Sequence, residues 1–501
     1  MRRFLLSLVA VATALPVLAG GLMTNTNQSA AFLRSVARGT TLDSDAVYYN
    51  PAGTVFMKDG WHIGISDQMA YQTRSTTSTF APFAMGANNN GLDTKEFKGS
   101  VFSALIPSFH LTWKKNRWAV MFGVGVNGGG GTIKYPNGLA SFERMFAVLP
   151  GSLQKLGISA SSYNADMLLK GNSMTLAFNV GAAFRITDWL SVAAQVRVGY
   201  TSNGYTGYMK NIAVGIGGNM LPATTVLGQA MTGLQTQYDG YKAQYDQLVA
   251  AGMGDSEAAQ KLAGALSQLG AGMQTVGESI AKTSDHTLDV KQTGWSVSPI
   301  IALAFHHDKW DASIRYEHKM ATKLKIKSAA VSANDPVINS IFPDGSTVKA
   351  ETPALLAVAA SRWCGPVKIS LGWNHYFDKQ AENSFSNVVR GNTNEYLAGV
   401  EWQIDKRWLV SAGAQRTQFN LYENNYSDMN FSVSAWSAGL GFAVNIIENI
   451  RLNAGFMYTI YDKGVTATGV DAATGLDYKD VYKRTSISGG IGLDFYFGKR
   501  K

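Results

Sequence analysis

The sequence contains little of what a disulfide-stabilised domain or a helical membrane protein needs. One cysteine, Cys364, among 501 residues excludes an internal disulfide framework. Charged residues make up only 16% of the chain, whereas soluble proteins usually carry about a quarter. Proline is scarce, at 12 residues. Beyond the first nineteen residues, no apolar run reaches the ~18 residues of a membrane-spanning helix.

Glycine and aromatic side chains are abundant, at 52 glycines and an aromatic fraction of 11%. Low charge combined with this composition is typical of strands that face an apolar medium on one side and water on the other. The net charge of +9 is one property of nucleic-acid-binding proteins. The Lys and Arg residues are scattered, however, so we expect anionic lipid headgroups and no nucleic acid as partners.

The N-terminus predicts export. Arg2 and Arg3 precede an apolar run from Phe4 to Leu18, and Ala19 ends a stretch of small residues suited to cleavage. Residues 1–19 are therefore interpreted as a secretory signal that is removed on maturation, and not as a membrane helix.

Apolar and polar residues alternate with period 2 in many segments. In the segment 486–497, Ile487, Leu493 and Phe497 share one face, and Ser486, Ser488 and Asp494 share the other. Each such segment reaches the roughly 9–11 residues that a tilted strand needs to cross a bilayer. The fourteen predicted strands are 61–72, 101–114, 117–128, 172–187, 189–203, 294–307, 309–327, 350–363, 365–378, 393–405, 407–420, 433–446, 449–463 and 482–497.

The connections between these segments alternate strictly between short and long. Links after even-numbered strands have one to three residues, such as Thr187-Asp188, and links after odd-numbered strands are long, such as 204–293. This pattern predicts an all-β fold, a transmembrane antiparallel β-barrel of about 14 strands spanning 57–501, with both termini periplasmic. Tryptophans near the strand ends favour an interfacial girdle: Trp61, Trp113, Trp118, Trp189, Trp295, Trp310, Trp363 and Trp408.

The alternative is a soluble β-sandwich, whose strands also alternate. Its strands average about 5–6 residues, and it does not need connections of such unequal length. Charged residues on the polar faces of the strands, including Arg197, Glu317 and Glu401, are expected in any wet barrel interior, and we expect some of them to pair with a plug.

Two long connections, near 136–165 and 226–284, show helical periodicity. One interpretation is that their helices pack on each other above the barrel. The other is that their apolar faces form a groove where a hydrophobic molecule first binds. The groove candidates are Phe142, Phe146, Leu149, Leu153 and Leu156.

Signals of enzymatic or metal chemistry are weak. The stretch Gly123-Val-Gly-Val-Asn-Gly128 matches a dinucleotide fingerprint, but no helix follows it directly. His306 and His307 are neighbours in a strand and point in opposite directions. We expect no metal, no cofactor and no enzyme, although separate strands could bring Ser, His and Asp together.

Residues 20–56 precede the first strand and contain apolar residues that favour burial, such as Phe32 and Val47. A barrel of about fourteen strands is too wide for its own side chains to fill, so this segment is predicted to be a plug in the lumen. Pro51 restrains Asn50 toward extended geometry, and Gly53 permits a sharp exit toward the first strand.

The chain here resembles the FadL/TodX family of outer-membrane transporters of long-chain fatty acids and aromatic hydrocarbons. The resemblance lies in Gly39-Thr-Thr-Leu-Asp43, in Asp45-Ala46 and in Asn50-Pro51-Ala52 followed by Gly53. It implies capture of a hydrophobic molecule between the helical loops, transfer to a pocket above the plug, plug movement and sideways exit through the wall. The sequence departs from the family at Gly498-Lys-Arg-Lys501, where the family often ends on an aromatic residue.

The sequence therefore predicts a monomeric barrel in the outer membrane of a Gram-negative cell, in contact with outer-membrane lipid and lipopolysaccharide. Its expected substrate is a hydrophobic small molecule. A general porin and a surface adhesin or receptor barrel remain as alternatives.

Overall fold

Fourteen antiparallel strands form the wall of a closed barrel in the computed structural model, which describes residues 22–24, 26–471 and 474–498. The predicted signal peptide and the last three residues lie outside the described residues. The strands are β1 (Gly60–Thr79), β2 (Thr94–Ser103 and Ser108–Lys115), β3 (Trp118–Tyr135), β4 (Ala160–Arg185), β5 (Leu190–Ile216), β6 (His286–His307), β7 (Trp310–Glu317 and Lys323–Ser328), β8 (Thr347–Lys349 and Leu355–Cys364), β9 (Val367–Tyr376), β10 (Thr393–Gln403), β11 (Trp408–Gln418), β12 (Ala435–Ile447), β13 (Ile450–Tyr461 and Val465–Val470) and β14 (Asp477–Phe497).

Each strand pairs with the next, and the first pairs with the last. The ladder between β1 and β14 runs from Trp61 opposite Phe497 to Thr79 opposite Lys479, so the sheet has no free edge. The predicted all-β barrel of about 14 strands is confirmed. A short additional strand, Asn219–Pro222, pairs with the end of β5 and lies outside this count.

Several strands extend further than the sequence predicted. The third was predicted over 117–128 but continues to Tyr135, and the fourth was predicted from residue 172 but begins at Ala160. These extensions all lie on the side of the long connections. There the sheet continues into hairpins in which an apolar outer face is not required, so the alternation fades while the hydrogen bonds persist.

Along β6 the outward side chains form an apolar band. Trp295, Val297, Ile301 and Leu303 are exposed on the outer face. From Trp295 to Phe305 this band spans ten residue-to-residue steps, which for a strand tilted by about 40° corresponds to a height of about 25 Å. Similar exposed apolar residues lie on the other strands: Val120, Val180, Val196, Leu371, Val400, Leu440, Ile460 and Ile491. Among the described residues, no helix is both long enough and apolar enough to cross a membrane.

The helices lie in the N-terminal segment and in the long connections. The two predicted helical connections are present, as α3 with α4 and as the antiparallel pair α5 and α6. The pair α5 and α6 is about 42 Å long. Its buried residues lie at its base, except for Ala259 near its tip. The helices are α1 (Ala30–Arg34), α2 (Ala46–Tyr49), α3 (Ala140–Ala147), α4 (Leu149–Lys155), α5 (Ala223–Ala250), α6 (Glu257–Thr283), α7 (Ala330–Ala333) and α8 (Pro336–Ile341).

Candidate functional site

The N-terminal segment from residue 26 to residue 56 is buried against the inner faces of the barrel strands. Helix α1 lies against β12 and β13 where the wall carries glycine. A Cβ atom at Gly455 would be 2.7 Å from the Ala30 carbonyl oxygen and from the Arg34 amide nitrogen. One at Gly439 would be 2.2 Å from the Leu33 carbonyl oxygen. The sequence therefore allows α1 to approach the wall at backbone distance.

Buried ion pairs connect this segment to the wall. Arg34 is fully buried, and its guanidinium binds Glu401 of β10 at 2.5 Å and Asn453 of β13 at 3.1 Å. Arg451 of β13 lies 3.3 Å from Asp43 in a second, partly exposed pair. Two of the lumen charges noted in the sequence thus have partners, since Glu401 binds Arg34 and Asp494 accepts a hydrogen bond from Ser44. Breaking a buried pair leaves an uncompensated charge, so these contacts hold the segment in one position.

Arg34→Gln tests this anchoring. We expect it to lower the free energy of unfolding by about 3 kcal/mol, the lower end of the range for a broken buried pair. The lower end applies because Arg38 is 3.7 Å from the same Glu401 carboxylate and compensates in part. The measurement is the urea midpoint of the purified protein in detergent.

The matched control is Arg416→Gln. Arg416 pairs with Asp462 at 2.7 Å, but this pair is partly exposed, so its loss should cost less than about 1 kcal/mol. Equal midpoint shifts for Arg34→Gln and Arg416→Gln would contradict the anchoring role.

The predicted motif residues organise the inside of the segment. Arg38 donates to both oxygens of Asp45, at 3.0 and 2.7 Å, and Ser29 donates to Asp45 at 2.8 Å. Ala46 and Ala52 are fully buried, and the Ala52 carbonyl accepts a hydrogen bond from Ser191 of β5 at 2.7 Å. Small side chains at these two positions let the backbone reach the wall.

Asn50 and Pro51 have a different geometry from the one predicted. Asn50 has φ −143° but ψ 64°, and its side chain accepts a hydrogen bond from the Gly53 amide at 3.2 Å. Pro51 begins a 3-10 helix, Pro51–Phe56. Gly53 lies inside this helix, where a Cβ atom would be 2.1 Å from the Asn50 amide nitrogen. The sharp exit was predicted at Gly53, but the turn into β1 occurs at Gly60, with φ +140°.

Tyr48 lies between two wall arginines. Its ring centroid is 4.7 Å from the Arg197 guanidinium and 5.2 Å from that of Arg315. Both arginines also bind Glu317. The aromatic ring is thus held by cation–π contacts in a desolvated site, and it packs in one buried cluster with Phe32 and Leu33 of α1.

The wall itself is interrupted between β2 and β3. The two strands pair from Lys115 opposite Trp118 to Ser108 opposite Gly125, and then only at Ser100 opposite Lys134. Residues 101–107 and 126–133 have no ladder between them. Strand β3 carries two bulges against β4 in this stretch. Gly129 and Gly130 there have φ +72° and +125°, which favour glycine.

Apolar side chains close this gap. Ala70, Ile106 and Val126 form a buried cluster, and the Ile106 amide donates to the Gln68 carbonyl at 2.9 Å. Outside the gap, Phe102 and Leu105 are among the most exposed apolar residues of the wall. The gap between residues 101–107 and 126–133, together with the cluster of Ala70, Ile106 and Val126, is called the wall gate below.

The N-terminal segment lies directly behind the wall gate. Gln28 donates to the Val126 carbonyl at 2.7 Å, and the Tyr48 hydroxyl donates to Asn127 at 3.2 Å. A Cβ atom at Gly128 would be 2.9 Å from the Met23 carbonyl oxygen. Any displacement of the segment therefore changes the inner contacts of the gate.

The predicted groove residues are mostly buried. Phe142, Phe146, Leu149 and Leu153 belong to the large apolar core at the end of the long connections, whereas Leu156 is exposed. The core also contains the base of the helix pair, through Val226, Leu227 and Val276. The structure brings four of the five candidates together as packed core, and their role in ligand capture stays a prediction.

Two cavities lie at opposite ends of the barrel. One, of about 1100 Å³, opens at the side of the short turns and includes Asp59, Lys114 and Tyr496 in its lining. The hydrogen bond from Lys114 lowers the pKa of Asp59. The other, of about 370 Å³, lies among the long connections and is lined by Lys95, Glu143 and other mostly polar groups. Neither cavity passes through the barrel.

The described part of the chain contains no group of three or more His, Cys, Asp and Glu side chains placed to bind a metal ion. His306 instead binds Asp311 at 2.6 Å.

The family resemblance implies a sideways exit through the wall, but the sequence analysis does not place it between β2 and β3. The signal for this place is the run Gly128-Gly-Gly-Gly131, which begins with the last glycine of the stretch that matches the dinucleotide fingerprint. Four consecutive glycines inside a strand are a recognised sign of a bulge.

Solved structures share this architecture at low sequence identity. A Pseudomonas aeruginosa FadL homologue matches with a TM-score of 0.62 and 12% identity, over 96% of this chain and 100% of that chain. The Pseudomonas putida toluene transporter TodX matches with a TM-score of 0.52 and 12% identity, over 97% and 100%. A TodX mutant described as a monoaromatic hydrocarbon channel gives 0.54 and 12%, over 94% and 99%.

No protein-family model matches the sequence, and a search of curated proteins finds no match. The fold of the FadL and TodX barrels, which the resemblance of the plug motif predicted, is confirmed across nearly the whole chain.

Proposed function

We propose that this protein is an outer-membrane channel for the passive uptake of hydrophobic small molecules, such as long-chain fatty acids or aromatic hydrocarbons. In this proposal residues 20–56 are the plug, both termini are periplasmic and the barrel acts as a monomer. The structurally similar proteins, described as a FadL homologue and a toluene transporter, support the substrate class.

The wall gate is the observation that carries this proposal. A polar solute needs an aqueous path along the barrel axis, and the plug blocks that path. An apolar molecule gains about 25 cal/mol for each Å² of surface removed from water, so it favours a sideways route into the bilayer. The gate offers that route because the side-chain cluster that closes it is apolar and no hydrogen-bonded ladder between residues 101–107 and 126–133 has to break.

The direction of transport follows from the position of the plug. A molecule that binds among the long connections meets the plug before it can reach the short-turn cavity. Plug displacement would withdraw Gln28 and Tyr48 from the gate strand. The molecule would then leave between β2 and β3.

A disulfide across the gate tests the route. A Cβ atom at Gly131 would be 3.5 Å from the Ser103 Cβ, within the usual 3.5–4.5 Å of a disulfide. We expect Ser103→Cys/Gly131→Cys, made in a Cys364→Ser background, to lower uptake of a labelled fatty acid or alkylbenzene at least tenfold. Reduction of the disulfide should restore uptake.

The matched control is Ala398→Cys/Ala414→Cys. These residues lie directly opposite each other on the outer faces of β10 and β11, in an uninterrupted ladder. A disulfide there should leave uptake unchanged. Normal uptake by the oxidised Ser103→Cys/Gly131→Cys protein would exclude the gate as the exit.

A further inference from the structure

A cluster of lysines lies on the outer surface of the barrel, away from the plug and the gate. Lys323, Lys325 and Lys327 alternate along β7 and are exposed, while Leu324 and Ile326 between them are buried. Lys327 lies directly opposite the exposed Lys291 of β6. These four residues are called the lysine cluster below.

Like charges at directly opposite positions on one face of a sheet destabilise it. In the described part of the chain, none of the four lysines forms an ion pair with a carboxylate. The adjacent lysines differ, since Lys319 pairs with Glu351 at 2.8 Å and Lys349 pairs with Glu382 at 2.7 Å. The lysine cluster therefore has an electrostatic cost that an external anion would offset.

The height of the cluster on the wall identifies the kind of anion. Lys291 is four residues beyond Trp295, which marks the end of the apolar band on β6. For a strand tilted by about 40° this is roughly 10 Å above the band. Lys325, opposite Thr293, is roughly 5 Å above it. The headgroup region of a bilayer occupies this height.

A second lysine pair lies on the outer face of the neighbouring strands. Lys134 of β3 is directly opposite Lys170 of β4, and both are exposed. Lys170 of β4 is directly opposite Thr206 of β5, and Thr206 is directly opposite Asp289 of β6. Asp289 is two residues from Lys291. Two strand spacings and this offset separate Lys170 from Lys291 by about 12 Å. Asp289 is one acidic neighbour on this face, and Glu382, which pairs with Lys349 opposite Lys323, is another.

We propose that the lysine cluster, with Lys134 and Lys170 as a second contact, binds the phosphate groups of a phosphorylated glycolipid in the outer leaflet, of the lipopolysaccharide type. Lysine is a compact cation that binds phosphate as a point charge, and its aliphatic stem can lie along the apolar band while the ammonium group reaches the headgroup. Two separated phosphates on one headgroup fit two lysine groups about 12 Å apart better than a free phosphate ion does. The site rests on the outer-membrane location proposed above, but not on transport.

The test measures glycolipid that copurifies with the full-length protein from a Gram-negative outer membrane, by mass spectrometry after detergent exchange. The variant is Lys291→Gln/Lys323→Gln/Lys325→Gln/Lys327→Gln, which removes four charges and keeps the side chains polar. We expect retained lipopolysaccharide to fall at least tenfold. The control Lys115→Gln/Lys309→Gln changes two exposed lysines at the short turns and should retain as much as the unmodified protein.

Further arms separate the possible sources of the anion. Added dephosphorylated glycolipid should not rebind to delipidated protein, and millimolar inorganic phosphate should not displace the phosphorylated form. Displacement by inorganic phosphate would show an ion site instead of a lipid site. Equal lipid retention by the quadruple variant would overturn the proposal.

Two further measurements keep these outcomes interpretable. Heat-modifiable gel mobility checks that the quadruple variant is folded. If the quadruple variant does not fold, the double variant Lys291→Gln/Lys327→Gln is used instead, and we expect its retained lipopolysaccharide to fall about threefold. Uptake is assayed separately. Lipid retention without uptake in the unmodified protein would contradict the transport proposal and leave the lysine site intact.

Discussion

A disulfide between the plug and the wall should abolish uptake. A Cβ atom at Gly399 of β10 would be 3.3 Å from the Ala37 Cβ, close to the 3.5–4.5 Å found in disulfides. We expect Ala37→Cys/Gly399→Cys, in a Cys364→Ser background, to fix the plug in the observed position. Labelled fatty acid or alkylbenzene uptake should then fall to the level of cells that lack the protein, a loss of tenfold or more.

Reduction of this disulfide should restore uptake, and each single cysteine variant should transport normally. Retained uptake by a fully oxidised double variant would show that the substrate passes without plug displacement. In that case the gate and the plug would act independently. The combined result with the gate disulfide of β2 and β3 therefore distinguishes a moving plug from a permanently open side route.

The barrel was predictable from sequence because its physical requirements are local. An outward face in lipid and an inward face in water impose period 2 on every strand, and residues such as Trp295 and Ile301 show it. Where one side of the wall no longer meets lipid, the constraint ends, and the sequence did not predict the extensions of β3 and β4. Helical periodicity in the connections was also visible, because one face of each helix packs on a core.

The plug contacts were less predictable because they join distant parts of the chain. Nothing in the sequence near Arg34 indicates that Glu401, 367 positions away, is its partner. In the sequence, Gly439 and Gly455 cannot be distinguished from other small residues of a strand. Only the position of α1 shows why these two residues lack side chains. The burial of Phe146 and Leu153 likewise depends on how several connections fold over one another.

Substitution of these two wall glycines should have a second large effect, which is to open the lumen of the barrel. In Gly439→Ala/Gly455→Ala, the two new methyl groups would clash with the Leu33 carbonyl oxygen at 2.2 Å and with Ala30 and Arg34 at 2.7 Å. Overpacking of this kind costs about 1–3 kcal/mol for each site, and the relief is a shift of α1 away from the wall. We expect a large, steady conductance to small ions in planar bilayers, where the unmodified protein shows little.

The matched control is Gly489→Ala on β14, where a Cβ atom would meet only the Gly455 carbonyl oxygen, at 4.0 Å. It changes a glycine of the same wall without touching the plug, so its conductance should stay low. If the Gly439→Ala/Gly455→Ala protein folds as a barrel but its conductance stays low, the wall must shift to relieve the clash while the plug keeps its position. The seal of the lumen would then depend on Arg34, Arg38 and their carboxylate partners more than on the close approach of α1, because buried ion pairs resist displacement even when a packing contact is lost.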